Sequence, residues 1–249
     1  MDLAQSSREA AVISYGDSED AWRGVGRFIE TSLLDIKAKR ILEVGAGANP
    51  LFPESFLDAH GLTYTAFDIS AAELQKAPAC YHKLVGDICT YQPKNGEAFD
   101  FIFSRMLAEH VTDGAAFHKN VFKLLAPGGR AFHFFPTLWA PPFLINRWVP
   151  EQLATSILRV MQPTRDLAGH QAKFPAYYDW CRGPTSGQLA RLQQIGYQVD
   201  KYVGFFGHRG YYLKFGPLLK VHDALSRWLL RNPMPRMTSF AFLLLSKPK

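Results

Sequence analysis

The sequence has few cysteines, and their spacing offers little to a metal or a crosslink. Cys80, Cys89 and Cys181 are an odd set with no Cys-x-x-Cys pair, so neither a disulfide framework nor a zinc site is expected, and the thiols read as reduced. No apolar run reaches the length of a membrane span, and Met1-Asp-Leu-Ala-Gln-Ser-Ser-Arg8 has no basic patch leading into an apolar stretch. A cytoplasmic address is the expectation. Acid is scarce at the C-terminal end, where eight Lys and Arg residues follow Lys201 against the single acid Asp223. The net charge of +6 is therefore concentrated there, and it allows a nucleic acid, an acidic substrate or an anionic membrane surface as partner.

What is present describes an ordinary globular chain. Of 249 residues, 47% are hydrophobic and 20% charged, far from a disordered composition and enough to bury one large core. One α/β domain over 1–249 is expected, its core at about 18–137 and 185–249, with insertions at about 138–184 and 207–236.

The central stretch is Arg40-Ile-Leu-Glu-Val-Gly-Ala-Gly-Ala-Asn-Pro50. Ile41, Leu42 and Val44 suit a parallel strand buried on both faces. Gly45 and Gly47 end it with backbone that reaches positive φ and leaves room for a ligand. Glu43 is out of place, because a carboxylate in a buried strand costs several kcal/mol unless it is partnered. A dinucleotide fingerprint needs a third glycine where this chain has Pro50, which disfavours a pyrophosphate cradle. Acid-x-Gly-x-Gly, here Glu43, Gly45 and Gly47, resembles motif I of the class I S-adenosylmethionine-dependent methyltransferases. In that family the turn, with Ala46 at its centre, accommodates the methionine part of the cofactor.

The rest of the chain follows in the same order. A helix over about 18–36, capped by Asp17 or Ser18, precedes the first strand; Tyr15 ahead of it reads as a packing residue or as a flap over the ligand. A short helix interrupted by Pro53 leads to a second strand, Leu62 to Asp68. An acid there, about twenty residues past the glycine turn, suits a ribose diol, with Ile69 beside it, although Asp68 or Ser70 equally caps the next helix. Leu84 to Ile88 is a third strand. The resemblance assigns Asp87 to the adenine amino group and Ile88 to the ring, while a plain turn aspartate is the alternative. Glu43, Asp68 and Asp87 at three successive strand ends would line one crevice of an open sheet.

Phe99 to Ser104 is a fourth strand. Arg105-Met-Leu-Ala-Glu-His110-Val resembles the segment that follows strand four in the same family, with Ser104 and Arg105 at the cofactor's edge. Arg105 replaces an acid common there, so no metal site is expected. His110 is the candidate general base, or else a histidine that supports the loop. A helix ending in Leu-Ala-Pro-Gly-Gly129 and a strand Arg130 to Pro136 complete a match covering roughly residues 40–137.

From Leu138 to Pro184 the chain is irregular and rich in aromatics, as expected of a substrate lid, with a helix near Glu151 to Met161. Tyr15, His133, Thr137 and Tyr178 are the candidate acceptor contacts. A helix ending at Gly196, a sixth strand to Phe206 and a last, antiparallel strand Thr238 to Ser246 finish a seven-stranded Rossmann-like mixed sheet with helices on both faces. Between the last two strands, Leu218, Val221, Leu225, Trp228 and Leu229 share a helical face expected to pack on the domain, with Lys220, Arg227 and Arg231 off it; a basic amphipathic helix also suits anionic lipid. The resemblance implies methyl transfer from S-adenosylmethionine to a small molecule such as a sugar or another secondary metabolite, lipid-linked ones included. An RNA methyltransferase is disfavoured, because neither an Asn/Asp-Pro-Pro-Tyr/Phe motif after strand four nor a Pro-Cys dipeptide is present.

Overall fold

The computed structural model describes residues 12–94, 96–138 and 175–249. The strands are β1 (Ile13–Asp17), β2 (Arg40–Val44), β3 (Thr63–Asp68), β4 (His82–Val85), β5 (Phe99–Arg105), β6 (Leu125–Pro136), β7 (Gln198–Phe206) and β8 (Phe240–Ser246). The helices are α1 (Ser18–Asp35), α2 (Glu54–His60), α3 (Ala71–Lys76), α4 (Gly114–Leu124), α5 (Ser186–Ile195) and α6 (Gly216–Arg231). The strands form one sheet in the order β1-β7-β8-β6-β5-β2-β3-β4, parallel except where β8 runs antiparallel between β6 and β7. The order reverses at β2 and β5, and ligands bind such sheets outside the carboxyl ends of the strands at that switch.

Among the described residues the sheet has eight strands where seven are expected. The additional one is β1, whose Ile13 to Asp17 pair in parallel with Tyr202 to Phe206 on the outer edge. Its five residues, Ile-Ser-Tyr-Gly-Asp, carry no run of apolar alternation, and pairing with β7 rather than local propensity makes them a strand. Tyr15 stacks on Phe206 there, with ring centroids 5.5 Å apart.

The sheet centre is dry. Ile41 and Leu42 of β2 and Phe101, Ile102 and Phe103 of β5 are fully buried, each worth about 1.5–3 kcal/mol over exposure. Local signals set the element ends. Asp17 caps α1 through the amide of Glu19, and Ser70 caps α3 through that of Glu73. Pro53 does not interrupt a helix but stands just before α2, where its missing N–H costs nothing. Strand β4 stops at Val85, earlier than expected, because Asp87 turns the chain: its Oδ1 accepts from Cys89 N at 2.8 Å and its carbonyl from Tyr91 N at 2.8 Å.

Two expectations about the insertions meet different outcomes. The helix near Glu151 to Met161 lies outside the described residues, but the flanks of that insertion adjoin, with Leu138 N donating to Cys181 O at 3.1 Å. Helix α6 exists, yet its expected packing face is turned outward. Only Leu229 of the five apolar residues is buried, together with His222 and Ser226. Hydrogen bonding accounts for this, because His222 Nε2 accepts from His208 N at 2.9 Å just beyond β7, while Ser226 stands against the left-handed Gly207.

His118 and His133 are buried side by side, ring centroids 5.2 Å apart, and burial pushes both pKa values down, His118 to about 3. Both are neutral in the folded protein, whereas an unfolded histidine titrates near 6.5. Their contribution is full above about pH 6.5 and declines as pH falls toward the folded values, since the unfolded chain then binds more protons. A His118→Leu, His133→Leu protein should lose less of its urea midpoint between about pH 7 and pH 5 than the wild type does; parallel losses would contradict the neutral pair.

Candidate active site

The charge that looked misplaced in β2 is partnered from three directions. Glu43, 1% exposed, accepts from Arg105 Nε at 3.1 Å and Nη2 at 2.8 Å through Oε1. Its Oε2 accepts from Leu51 N at 2.9 Å and from the Tyr64 hydroxyl. Burial, then the Glu43 carboxylate, pushes the Tyr64 hydroxyl's pKa far up, so it stays a donor. Arg105 thus replaces the usual acid with an ion pair to β2, and its side chain remains 30% exposed beside the glycine turn.

The turn itself is built for backbone approach. Gly45 has φ 77° and donates to Phe67 O at 2.8 Å, and Ala46 N donates to the same carbonyl at 3.2 Å. A Cβ on Gly45 would fall 2.6 Å from Leu107 Cδ1, so glycine is required both by conformation and by space. Gly47, at φ 52°, donates to Asp68 Oδ2 at 3.0 Å, and Asp68 Oδ1 accepts from Ser70 N at 2.9 Å. Asp68 therefore ties the turn to the start of α3 while Ser70 makes the cap.

One crevice opens at the carboxyl edge. It is lined by Val44, Gly45, Phe67, Asp68, Ile69, Gly86, Asp87, Ile88, Cys89, Leu107, His110, Val111 and Thr112. Six of the residues expected at a site, Gly45, Asp68, Ile69, Asp87, Ile88 and His110, meet there, while Glu43, Ala46, Gly47 and Arg105 form and brace the turn. Ile88 is buried, and Ile69 is 72% exposed over the opening.

Others are placed elsewhere. Ser104 and His133 are fully buried and bond to each other at 2.9 Å within β5 and β6, outside the crevice lining. Thr137 is buried against Thr238 O. Tyr15 lies on β1, five strand spacings or roughly 24 Å from β2. Tyr178 is buried with φ 53° and donates its amide to Glu109 O at 3.1 Å, bringing it beside the crevice turn without lining the crevice.

His110 is oriented by its backbone neighbour. Its Nδ1 pairs with Pro175 O at 2.8 Å; a carbonyl only accepts, so Nδ1 carries the proton and Nε2 is the basic nitrogen. Glu109 beside it is 3% exposed, its Oε1 lies 3.7 Å from His110 Nε2, and its Oε2 has no hydrogen-bond partner among the described residues. Burial raises the Glu109 pKa to about 8, so the carboxyl is mostly protonated at neutral pH.

Sequence reasoning missed several residues. Leu107 fills the space above Gly45, and Met106 holds φ 52° while donating to Phe134 O at 2.7 Å. Asn120 of α4 pins the loop after β4 by donating to Ile88 O and Cys89 O, each at 2.9 Å. An asparagine on the buried face of an amphipathic helix was the available signal. Cys89 lines the crevice with its pKa raised to about 11, by burial and then by Asp87, and so remains a thiol.

A mixed sheet with one antiparallel strand near its edge, a glycine turn at the switch point and strand-end acids define a nucleoside-binding Rossmann-like fold. Residues 19–201 match the family model described as Methyltransferase domain, and the chain belongs to that family, within the class I S-adenosylmethionine-dependent methyltransferases. No curated protein matches the chain. Among solved structures it is similar to phosphoethanolamine N-methyltransferase 2 of Haemonchus contortus in complex with S-adenosyl-L-methionine, at TM-score 0.55 and 15% identity over 91% of this chain and 53% of that one. The chain thus spans about half the length of that enzyme. It is also similar to an S-adenosylmethionine dependent methyltransferase from Mesorhizobium loti, at TM-score 0.54 and 15% identity over 89% and 96% of the two chains. A third neighbour is the (4+2)-cyclase SpnF, at TM-score 0.52 and 14% identity over 91% and 82%. At these identities the likeness is one of fold.

Two substitutions test the site's construction. Arg105→Met strands the Glu43 carboxylate and should lower unfolding free energy by about 3 kcal/mol, with Glu43→Gln in the same chain restoring much of it; additive losses in urea titration would contradict the pairing. Glu109 favours folding below its unfolded pKa near 4.3, and that contribution is lost as pH rises toward about 8. Glu109→Gln should therefore gain on the wild type as pH rises from about 5 to 9, and equal midpoints throughout would refute a buried acid.

Proposed function

We propose that this chain is an S-adenosylmethionine-dependent methyltransferase acting on a small-molecule acceptor, a sugar or another secondary metabolite. The observation that carries the reading is the meeting of Asp68, Asp87 and the Gly45 to Gly47 turn at one crevice on the carboxyl edge of the sheet. The fit to the cofactor rests on that donor set. Asp68 offers carboxylate oxygens to a ribose diol, Asp87 an acceptor for an adenine amino group, and Ile69 and Ile88 apolar surfaces for the ring. The glycine turn leaves a cradle that a Cβ at Gly45 would fill. Arg105, anchored to Glu43, presents its exposed edge to the methionine carboxylate.

The bound cofactor supplies an electrophilic methyl on a sulfonium, already a good leaving group. The chain's task is alignment and dryness. Were an acceptor lone pair to take that methyl, the carbon–sulfur pair would return to sulfur and the acceptor's proton would have to pass to a base of this chain. His110 suits that role, because the Pro175 carbonyl holds the proton on Nδ1 and leaves Nε2 basic. Of the residues expected to touch the acceptor, Tyr15 on the outer edge strand and the fully buried His133 and Thr137 do not reach the crevice. Tyr178 is the one retained, through its amide bond to Glu109 next to His110. A cytoplasmic enzyme using no metal completes the reading.

Isothermal titration with S-adenosylmethionine, S-adenosylhomocysteine and NADH tests it. The adenosyl compounds should bind and the nicotinamide should not. Asp68→Ala, which removes hydrogen bonds to a charged group worth about 1.5–3 kcal/mol, should weaken binding roughly 10- to 100-fold. Unchanged affinity in that variant would remove the ribose assignment, and tight binding without methyl transfer to any acceptor would favour a non-transferring role for the fold.

A further inference from the structure

Helix α6 presents an apolar strip to solvent. Leu218, Val221, Leu225 and Trp228 recur at three- and four-residue spacing and are all exposed, Val221 at 64% and Trp228 at 51%. The usual arrangement of a surface helix is inverted, since His222 and Ser226 face the domain. At 100° per residue, Lys220, Arg227 and Arg231 form a second exposed row roughly 120° round the helix from the strip. The helix's one acid, Asp223, is engaged by His222 at 3.1 Å and by Arg209 at 3.4 Å.

We infer that α6 is an in-plane docking surface for an anionic lipid bilayer. An apolar strip with a row of one sign farther round the same helix matches a surface whose interior takes hydrocarbon and whose headgroups carry negative charge. A second copy of the chain fits less well. A self-complementary pairing of this face sets one basic row near another, and the helix has no unengaged acid to pair with it.

The position of α6 suits the assignment. Strand β7 runs parallel to β1 and antiparallel to β8, which is antiparallel to β6, so Phe206 ends at the same edge of the sheet as Val44 and Arg105. Helix α6 packs onto that end through Gly207, His208 and Ser226. The strip is therefore carried at the same edge of the sheet at which the crevice opens.

Flotation of the full chain with phosphatidylcholine vesicles, with and without one-third phosphatidylglycerol, tests the proposal. The wild type should float with the anionic vesicles alone and be released by high salt. Lys220→Glu, Arg227→Glu and Arg231→Glu together should lower partitioning by roughly 100-fold. Val221→Asn, Leu225→Asn and Trp228→Asn should also abolish flotation, with far-ultraviolet circular dichroism and urea midpoint unchanged because all three positions are exposed. A blue shift of tryptophan emission on vesicle addition, absent in Trp228→Phe, would place the strip in the acyl boundary. Absence of flotation with either vesicle, or flotation undiminished in both multiple variants, would overturn the proposal. A dimer in sedimentation equilibrium that the asparagine variant disperses, without vesicle binding, would give the strip to a second copy and overturn it equally. Salt-sensitive RNA binding without flotation would do the same.

Discussion

The buried Glu43 carboxylate is the constraint on which the rest of the structure depends. A charge in the middle of a parallel sheet is tolerable only if its partners arrive together, and here they come from three separate parts of the fold. Arg105 reaches it from the end of β5, Tyr64 from β3, and the Leu51 amide from the chain leading into α2. One side chain thereby joins the two strands flanking β2 to the segment that leaves the glycine turn. Register, turn and ion pair support one another: a one-residue slip of β2 would point Glu43 to the other face and leave Arg105 without its partner.

From that anchor the crevice follows by geometry. With β2 fixed between β3 and β5, the sheet order reverses at the glycine turn, and the ends of β3 and β4 bring Asp68 and Asp87 beside it. Asp68 has two tasks, since it accepts from both Gly47 and Ser70, so the ribose and capping readings of this residue are not exclusive. The 3-10 turn at Ala108–His110 closes the other wall. It is held by the returning flank of the insertion, where Tyr177 and Tyr178 donate to Glu109 O and Pro175 receives His110. The acceptor side is thus coupled through backbone hydrogen bonds to the chain that re-enters after the insertion.

The β1–β7 side of the sheet shows a different balance of forces. Strand β1 is held by backbone pairing with β7, and helix α6 buries Leu229 but otherwise meets the domain through the polar His222 and Ser226. That leaves apolar side chains of α6 in water, a cost the domain itself does not recover. Polar contacts on the inside and apolar groups on the outside are the reverse of what periodicity alone leads one to expect, because periodicity identifies a stripe without identifying what covers it.

Motif I, the acids at the strand ends, and most strands and helices were legible in the sequence, because apolar runs, glycines at turns and capping residues are local signals that need no partner. Nine of the residues about the turn and crevice, from Gly45 to His110, were read from those signals together with the family resemblance. Strand β1 was not, since an edge strand of five mixed residues exists only through pairing with β7. The burial of Ser104 and His133, the filling of Gly45's space by Leu107 and the clamp of Asn120 were also hidden, because each depends on residues far apart in the chain. The order of residues alone requires that a charge stand in a buried strand before a glycine turn, and so that something neutralise it. That Arg105, Tyr64 and the Leu51 amide do so, and which face of α6 meets water, follows from the folded arrangement, because burial and hydrogen bonding are settled by what packs against a residue.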